Sequence, residues 1–204
     1  LERLSELVLW ETRGFPAGHP YNNVVAMPDD TPLPPIWLLG SSDYSSELAA
    51  QVGMGFAFAH HFASYDAVAA MTNYRSHFKP SAWRPTPQGI LAVAAVAAET
   101  DAEAETLASS MDLNRLRRDR GQYLPLPSVE EALAYNYTDA ERASVMRNRS
   151  RLFVGSPAAI LSKLQPMIDA SQPDELMIIT AVYDHDARKK SYSLLADAFG
   201  LAKK

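Results

Sequence analysis

Short runs of apolar residues alternate along the chain with longer amphipathic segments. Four runs predict strands, at residues 36–39, 56–59, 90–98 and 175–182. Continuous apolar runs of this length are typical of strands that are buried on both faces of a parallel sheet. Each run is followed by apolar residues at helical spacing. The alternation therefore predicts an α/β fold with a parallel sheet and right-handed crossover connections.

The first part of the chain differs from this pattern. Apolar positions at helical spacing, beginning at Leu1, predict an amphipathic helix that ends near Gly14. Residues 15–35 are rich in Pro, Gly, Asn and Asp, which predicts a long loop, although residues 23–27 could pair as a short strand. No convincing linker follows, so we interpret residues 1–204 as a single domain.

Polar residues mark the starts of two later helices. Thr100, with Glu103 three residues on, resembles a capping box. Ser156 precedes Pro157, the residue pair expected at an N-cap and at the first helical position. Between these helices, residues 129–151 predict one weakly patterned helix.

Composition excludes several classes of function. The chain has 204 residues, 47% of them hydrophobic, and contains no Cys, which excludes disulfides, thiolate metal sites and cysteine nucleophiles. Lys and Arg number 19 against 24 Asp and Glu, so there is no basic excess for binding nucleic acid. No apolar run approaches the roughly 18 residues of a membrane-spanning helix. We expect a cytoplasmic protein that binds neither nucleic acid nor membrane.

A glycine and several hydroxyl groups lie where the first predicted strand ends and a helix begins. Gly40 is followed by Ser41, Ser42 and, after two further residues, Ser45. The first-turn N–H groups of a helix lack intrahelical partners and carry partial positive charge, so a phosphate can bind there without a basic residue. The alternative is that Ser42 or Asp43 only caps the helix.

The same stretch carries a resemblance to a known family. Its most specific part is the run PIWLLGSS at residues 35–42. Weaker similarities follow in order at residues 45–50, 56–62, 74–81, 98–104, 154–157 and 188–195. On these segments the chain resembles the luciferase-like flavin-dependent monooxygenases over nearly its whole length.

The resemblance implies a (β/α)₈ barrel of the TIM-barrel type. A barrel of this kind takes about 250 residues, whereas this chain shows about four strand–helix units. The similarity therefore places it as the C-terminal half of the family's barrel. We expect that another copy or another chain closes the barrel, as in a homo-oligomer, or that an N-terminal half is missing from the sequence.

The resemblance also implies which residues bind the cofactor. In the family, a flavin lies at the C-terminal ends of the strands. The implied cofactor-binding residues are Gly40, Ser41, Ser42, Ser45, Ala59 and His60. Ser42 and Ser45 would contact the flavin phosphate, and Ala59 and His60 would border the isoalloxazine. Because neighbours on a strand point to opposite faces, this applies to His60 rather than His61. No catalytic residue is assigned.

The function that the resemblance implies is oxidation of a small organic substrate by O₂ and reduced flavin. The flavin would be FMN, supplied in reduced form by a reductase, with a deazaflavin as the alternative. The alternative is a non-catalytic flavin- or phosphate-binding barrel remnant. A further alternative is a structural fragment without a ligand.

Other polar clusters have simpler interpretations. His60, His61 and His77 lack metal-ligand spacing, so no metal site is expected. Residues 184–186 are interpreted as a loop that caps the last helix, although in a barrel His185 would lie on the active face. The basic residues at 147–151 are interpreted as a surface helix face, with a substrate-facing role as the alternative.

Overall fold

The computed structural model describes residues 2–29 and 31–201. They form two compact units, which divide between Ile36 and Trp37. The first unit contains helix α1 (Glu2–Thr12), as predicted, although Leu1 lies outside the described residues. The expectation that residues 23–27 could form a short strand is wrong. Val24 closes a turn by donating its N–H to the Tyr21 carbonyl oxygen (3.0 Å), and no strand lies beside it in the described part of this unit.

The second unit is built on a parallel sheet. Its strands are β1 (Trp37–Gly40), β2 (Gly55–Ala59), β3 (Gly89–Ala97), β4 (Leu152–Gly155) and β5 (Glu175–Ile179). Strands β1, β2 and β3 pair in sequence order, and β3 also pairs with both β4 and β5. Every pairing is parallel. The predicted α/β fold with a parallel sheet is therefore confirmed.

Seven further helices connect and follow the strands. They are α2 (Asp43–Val52), α3 (Ala67–Ser76), α4 (Asp101–Asp119), α5 (Val129–Ala134), α6 (Asp139–Arg149), α7 (Pro157–Ser171) and α8 (His185–Ala198), with a short 3₁₀ helix at His60–Phe62. The predicted cap at Thr100 is confirmed, because its side chain accepts the Glu103 N–H (3.2 Å). Within the described residues, no helix is both long enough and apolar enough to cross a membrane.

Two predictions about residues 129–155 are wrong. The sheet has five strands rather than about four, because Leu152–Gly155 forms β4. The single helix expected over residues 129–151 is two helices, α5 and α6. The break between them ends at Thr138, whose N–H donates to Glu141 (2.6 Å) while its hydroxyl accepts the Glu141 N–H (3.3 Å). This reciprocal capping box starts a new helix inside the segment.

Strand β3 lies at the centre of the hydrophobic core. Its side chains alternate between two apolar clusters. One cluster contains Leu91, Val93, Ala95 and Ala97, and the other contains Ala94, Val96 and Ala98. Because successive strand residues point to opposite faces, both faces of β3 are covered. This explains why the strand is apolar without interruption.

Tyr74 on α3 links the starts of two strands, which gives a test of the fold. It is fully buried, and its hydroxyl donates to the Met54 carbonyl oxygen (2.8 Å) and accepts the Gln88 N–H (3.1 Å).

We expect Tyr74→Phe to lower the free energy of unfolding by about 1–3 kcal/mol, because buried polar groups lose their partner. Urea denaturation measures this loss. The control is Tyr123→Phe, at a side chain that is 79% exposed. An equal loss of unfolding free energy in the two variants would show that the hydrogen bonds of the Tyr74 hydroxyl do not stabilise the fold.

Candidate functional site

The ends of β1 and β2 bring two groups of predicted site residues to the same edge of the sheet. Gly40 ends β1 and pairs with Phe58, the residue before Ala59 at the end of β2. Because parallel strands run in one direction, their C-terminal ends meet at one edge, where α/β proteins place their ligands. Gly40 and Ala59 therefore lie near each other, as predicted.

The hydroxyl groups after β1 form a compact cluster at the start of α2. Ser42 is the N-cap, and its N–H donates to the Ser45 hydroxyl (3.4 Å). The Ser45 hydroxyl donates to the Ser42 carbonyl oxygen (2.8 Å), and the two hydroxyl oxygens lie 3.5 Å apart. Ser41, Ser42 and Ser45 are all half-buried. Ser42 occupies the N-cap position and forms a capping box with Ser45, as the capping interpretation predicts, and its hydroxyl hydrogen can point to the Ser45 oxygen at 3.5 Å or to another acceptor.

Gly40 is required by the position of Ser45. A Cβ atom on Gly40 would lie 2.0 Å from the Ser45 hydroxyl oxygen and 2.2 Å from the Ser45 Cβ. No side chain fits at residue 40 while Ser45 keeps its place. The glycine therefore allows the strand end to contact the first turn of α2.

A carboxylate shares this helix end. Asp43 is exposed, and its Oδ1 accepts the Tyr44 N–H (2.8 Å). This bond occupies one of the first-turn donors. An anion at the start of α2 would have to use the remaining N–H groups and the Ser42 hydroxyl.

His60 lies just after β2, and it differs sharply from its neighbour His61. Both ring nitrogens of His60 are buried and have no hydrogen-bond partner within the described residues. Burial lowers the pKa of His60, with smaller contributions from His61 and Arg151, and this shift favours the neutral imidazole. His61 instead places its Nδ1 3.3 Å from the Ala92 carbonyl oxygen. The two residues lie on a 3₁₀ helix rather than on the strand.

The structure places His60 in a cavity that the sequence did not predict. The cavity has a volume of about 790 Å³ and lies between the chain that follows β2 and one face of α6. Its lining residues are His60, Ala63, Ser64, Tyr65, Asp66, Ala67, Asp119, Ser144, Arg147, Asn148, Ser150, Arg151 and Met167. Ser42 and Ser45 do not line it. The predicted site residues thus form two sets, the serines at α2 and His60 in the cavity.

Buried polar contacts hold α6 against this cavity. The guanidinium of Arg115 donates to the Asn148 carbonyl oxygen (3.0 Å) and to the His61 carbonyl oxygen (3.4 Å). Arg149 makes two bonds of 2.7 Å to Asp112, with one guanidinium nitrogen to each carboxylate oxygen. Burial raises the pKa of Asp112, and Arg149 opposes that shift. Arg115 therefore joins the histidine segment to the end of α6.

The remaining candidates have structural roles. Asp184 caps α8 by accepting the Ala187 N–H (2.7 Å), and the His185 Nδ1 lies 3.0 Å from the Arg188 guanidinium. This confirms the capping interpretation of that loop. Arg75 donates to the Gln172 carbonyl oxygen and to Asp174 (2.8 Å). Among the described residues, no group of three or more His, Asp or Glu side chains could hold a metal ion.

The comparisons with known proteins agree with the resemblance found in the sequence. The profile of the family described as luciferase-like monooxygenase matches residues 8–171, which is most of the chain. The chain belongs to this family. An Escherichia coli (strain K12) protein described as a luciferase-like monooxygenase is 36% identical over 194 residues, which cover 95% of this chain and 57% of that protein.

Two further relatives show the same extent of similarity. YceB of Bacillus subtilis (strain 168), an uncharacterized protein, is 34% identical over 197 residues, which cover 97% of this chain and 60% of YceB. The crystal structure of apo-MsnO8 superposes with a TM-score of 0.82 at 32% identity, covering 100% of this chain and 60% of that chain. The chain therefore spans 57–60% of the length of these relatives.

Ser144 and Asn148 are cavity residues that the sequence analysis did not single out, whereas a substrate-facing role for the basic residues at 147–151 was one of its alternatives. Ser144, Arg147, Asn148 and Arg151 line the cavity together. Ser144, Arg147 and Asn148 lie on one face of α6, as their spacing of three and four residues predicts, whereas Arg151 follows the end of the helix at Arg149. What the sequence did not show is which part of the protein that face meets.

The contact between Gly40 and Ser45 can be tested by a double-mutant cycle. We expect Gly40→Ala to lower the free energy of unfolding by about 1–3 kcal/mol, because the added methyl group overlaps Ser45. In a Ser45→Gly background, the same substitution should cost less, with a coupling of about 0.5–3 kcal/mol. Urea unfolding of the four proteins measures this coupling. Additive losses would show that residue 40 does not contact Ser45.

Glu141 at the start of α6 predicts an acid-sensitive contact. Hydrogen bonds from the Thr138 N–H and the Tyr135 hydroxyl lower the pKa of Glu141 from 4.5 to about 2. A lowered pKa stabilises the fold above the unfolded-state value, and this stabilisation is lost as pH falls from about 4.5 towards 2. We expect the stability difference between the wild type and Glu141→Gln to shrink over that range in urea titrations. The exposed control, Glu47→Gln, should show a constant difference.

Proposed function

We propose that this chain is part of a flavin-dependent monooxygenase and that the start of α2 binds the phosphate of FMN. The observation that carries this proposal is the pair of half-buried hydroxyl groups, Ser42 and Ser45, at a helix N-terminus beside the end of β1. Membership of the luciferase-like monooxygenase family supports a flavin as the anion.

The residues at this helix end fit a phosphate group. The hydrogen of the Ser42 hydroxyl has a long contact of 3.5 Å to the Ser45 oxygen, so it can donate to a phosphate oxygen instead. Gly40 and Ser41 bring the backbone close without a bulky side chain, and the positive end of the α2 dipole favours a negative charge. Asp43 works against binding, because its carboxylate uses the Tyr44 N–H.

Ala59 and His60 are proposed to border the isoalloxazine ring. Two observations support this: the end of β2 lies beside the end of β1, and the ring nitrogens of His60 are buried without a partner in the described structure. When bound, a reduced flavin would supply the two electrons that reduce one oxygen atom of O₂ to water, while the other oxygen atom is transferred to a small organic substrate. The chain's own residues bind the phosphate, orient the ring and exclude water.

The flavin is proposed to be FMN rather than a deazaflavin, and a separate reductase is proposed to supply it in reduced form. The five-stranded sheet is proposed to be the C-terminal part of a (β/α)₈ barrel. The parallel strands and the 57–60% coverage of the relatives support that arrangement. A second copy of the chain or an N-terminal half would then complete the barrel.

The serine site is tested by FMN binding. We expect the double variant Ser42→Ala/Ser45→Ala to weaken FMN binding about ten- to a hundred-fold, since losing a hydrogen bond to a charged group costs about 1.5–3 kcal/mol. Titration of flavin fluorescence measures the dissociation constant. The matched control is Ser162→Ala/Ser193→Ala, at two exposed serines on α7 and α8.

Two outcomes separate the alternatives. An unchanged dissociation constant in Ser42→Ala/Ser45→Ala would exclude the phosphate site. FMN binding without O₂ consumption in the presence of reduced flavin and candidate substrates would favour the non-catalytic flavin-binding protein over the monooxygenase.

A further inference from the structure

The cavity beside His60 contains cationic side chains that lack an acidic partner. Arg147 and Arg151 line it, and neither forms an ion pair with a carboxylate in the described residues. Two carboxylates also line the cavity, but each already accepts a hydrogen bond. Asp66 accepts the Ala69 N–H (2.7 Å), and Asp119 accepts the Asn148 side-chain N–H (2.9 Å). Each carboxylate keeps a second oxygen that neither bond occupies, so the cavity offers acceptors as well as the N–H donors of Arg147 and Arg151, and its lining carries two negative and two positive side chains.

Arg151 is held in place by the network around Asn148. One guanidinium nitrogen of Arg151 donates to the Asn148 side-chain oxygen (2.5 Å), and Arg115 donates to the Asn148 backbone oxygen (3.0 Å). A guanidinium carries five N–H donors in a planar fork. Most of the donors of Arg151 therefore remain free while its position is fixed, an arrangement that lowers the entropic cost of binding an anion.

The rest of the cavity wall is partly apolar. Ala63, Ala67 and Met167 line it together with the imidazole of His60. The volume of about 790 Å³ lies within the usual range for small-molecule sites. A ligand that fits this wall and the arginines has a negatively charged end and an apolar body.

The charge of the surroundings favours a single negative charge on the ligand. Asp66 and Asp119 remain in the lining, and the whole chain has a net charge of −5. A dianion such as a phosphate monoester would be repelled more strongly than a carboxylate, which also matches the fork of an arginine through two parallel hydrogen bonds.

We propose that this cavity binds an organic acid with an apolar chain, and that Arg147 and Arg151 bind its carboxylate. The proposal rests on the proposed function in one respect, since it makes this acid the substrate. One oxygen atom of O₂ would be inserted into the acid, and the other would be reduced to water by two electrons from the reduced flavin. His60, at the boundary between the flavin and the cavity, would contact the acid near its apolar chain. Arg115 acts as a positioning residue, because it joins the histidine segment to α6.

The test compares two probes of nearly equal shape, octanoate and octanamide, by equilibrium dialysis against the chain without flavin. We expect octanoate to bind at least about ten times more tightly than octanamide. In Arg147→Gln/Arg151→Gln, octanoate binding should weaken about ten- to a hundred-fold, and octanamide binding should not change. The control Arg118→Gln/Lys79→Gln removes two positive charges from exposed positions that do not line the cavity, and it should bind octanoate normally.

Several results would overturn the proposal. Equal binding of octanoate and octanamide by the wild type would do so without any variant, and equal loss in the cavity and control variants would do so as well. Displacement of octanoate by equimolar inorganic phosphate would identify a phosphate site instead. FMN titration keeps the two proposals separate: octanoate binding without FMN binding would contradict only the serine site, and FMN binding without octanoate binding would contradict only the cavity.

Discussion

Parallel pairing onto strand β3 is the constraint on which the rest of the second unit depends. β3 pairs with β2 through residues 89–92, with β5 through residues 90–94 and with β4 through residues 94–97. Its backbone groups bond to these neighbours, and its side chains are buried on both faces. Because every neighbour runs in the same direction, their C-terminal ends meet at one edge. Both candidate sites lie where the chain leaves β1 and β2 at that edge.

The cavity exists because α6 is fixed against the segment that follows β2. The buried pair of Asp112 and Arg149 anchors the helix to α4. Such pairs add little net stability, since the cost of removing both charges from water offsets their attraction, but they specify one arrangement. Arg115 adds the link from Asn148 to His61. These contacts bring Arg147 and Arg151 to the same cavity as His60.

The two candidate sites differ in how they are formed. The cluster at α2 is local, since Gly40, Ser42 and Ser45 lie within six consecutive residues and contact one another directly. The cavity combines residues from α3, α4, α6 and α7 that are distant in sequence. The serine cluster follows β1, the cavity includes His60 just after the neighbouring strand β2, and Ser42 and Ser45 do not line the cavity. The proposed roles of the two sites are therefore compatible.

The sequence by itself determined the α/β class, the boundaries of most strands, the side-chain cap at Thr100, the N-cap position of Ser156 and the family. Each of these follows from local patterns, because apolar periodicity and capping act within a few residues. Only the tertiary structure decided that Leu152–Gly155 is a strand. These residues directly follow a segment predicted as helix and precede the N-cap position at Ser156, so the local pattern does not set them apart, and they become a strand by pairing with Ala94–Ala97. The same holds for the cavity, because charges on a helix face acquire a role only when packing brings a distant segment beside them.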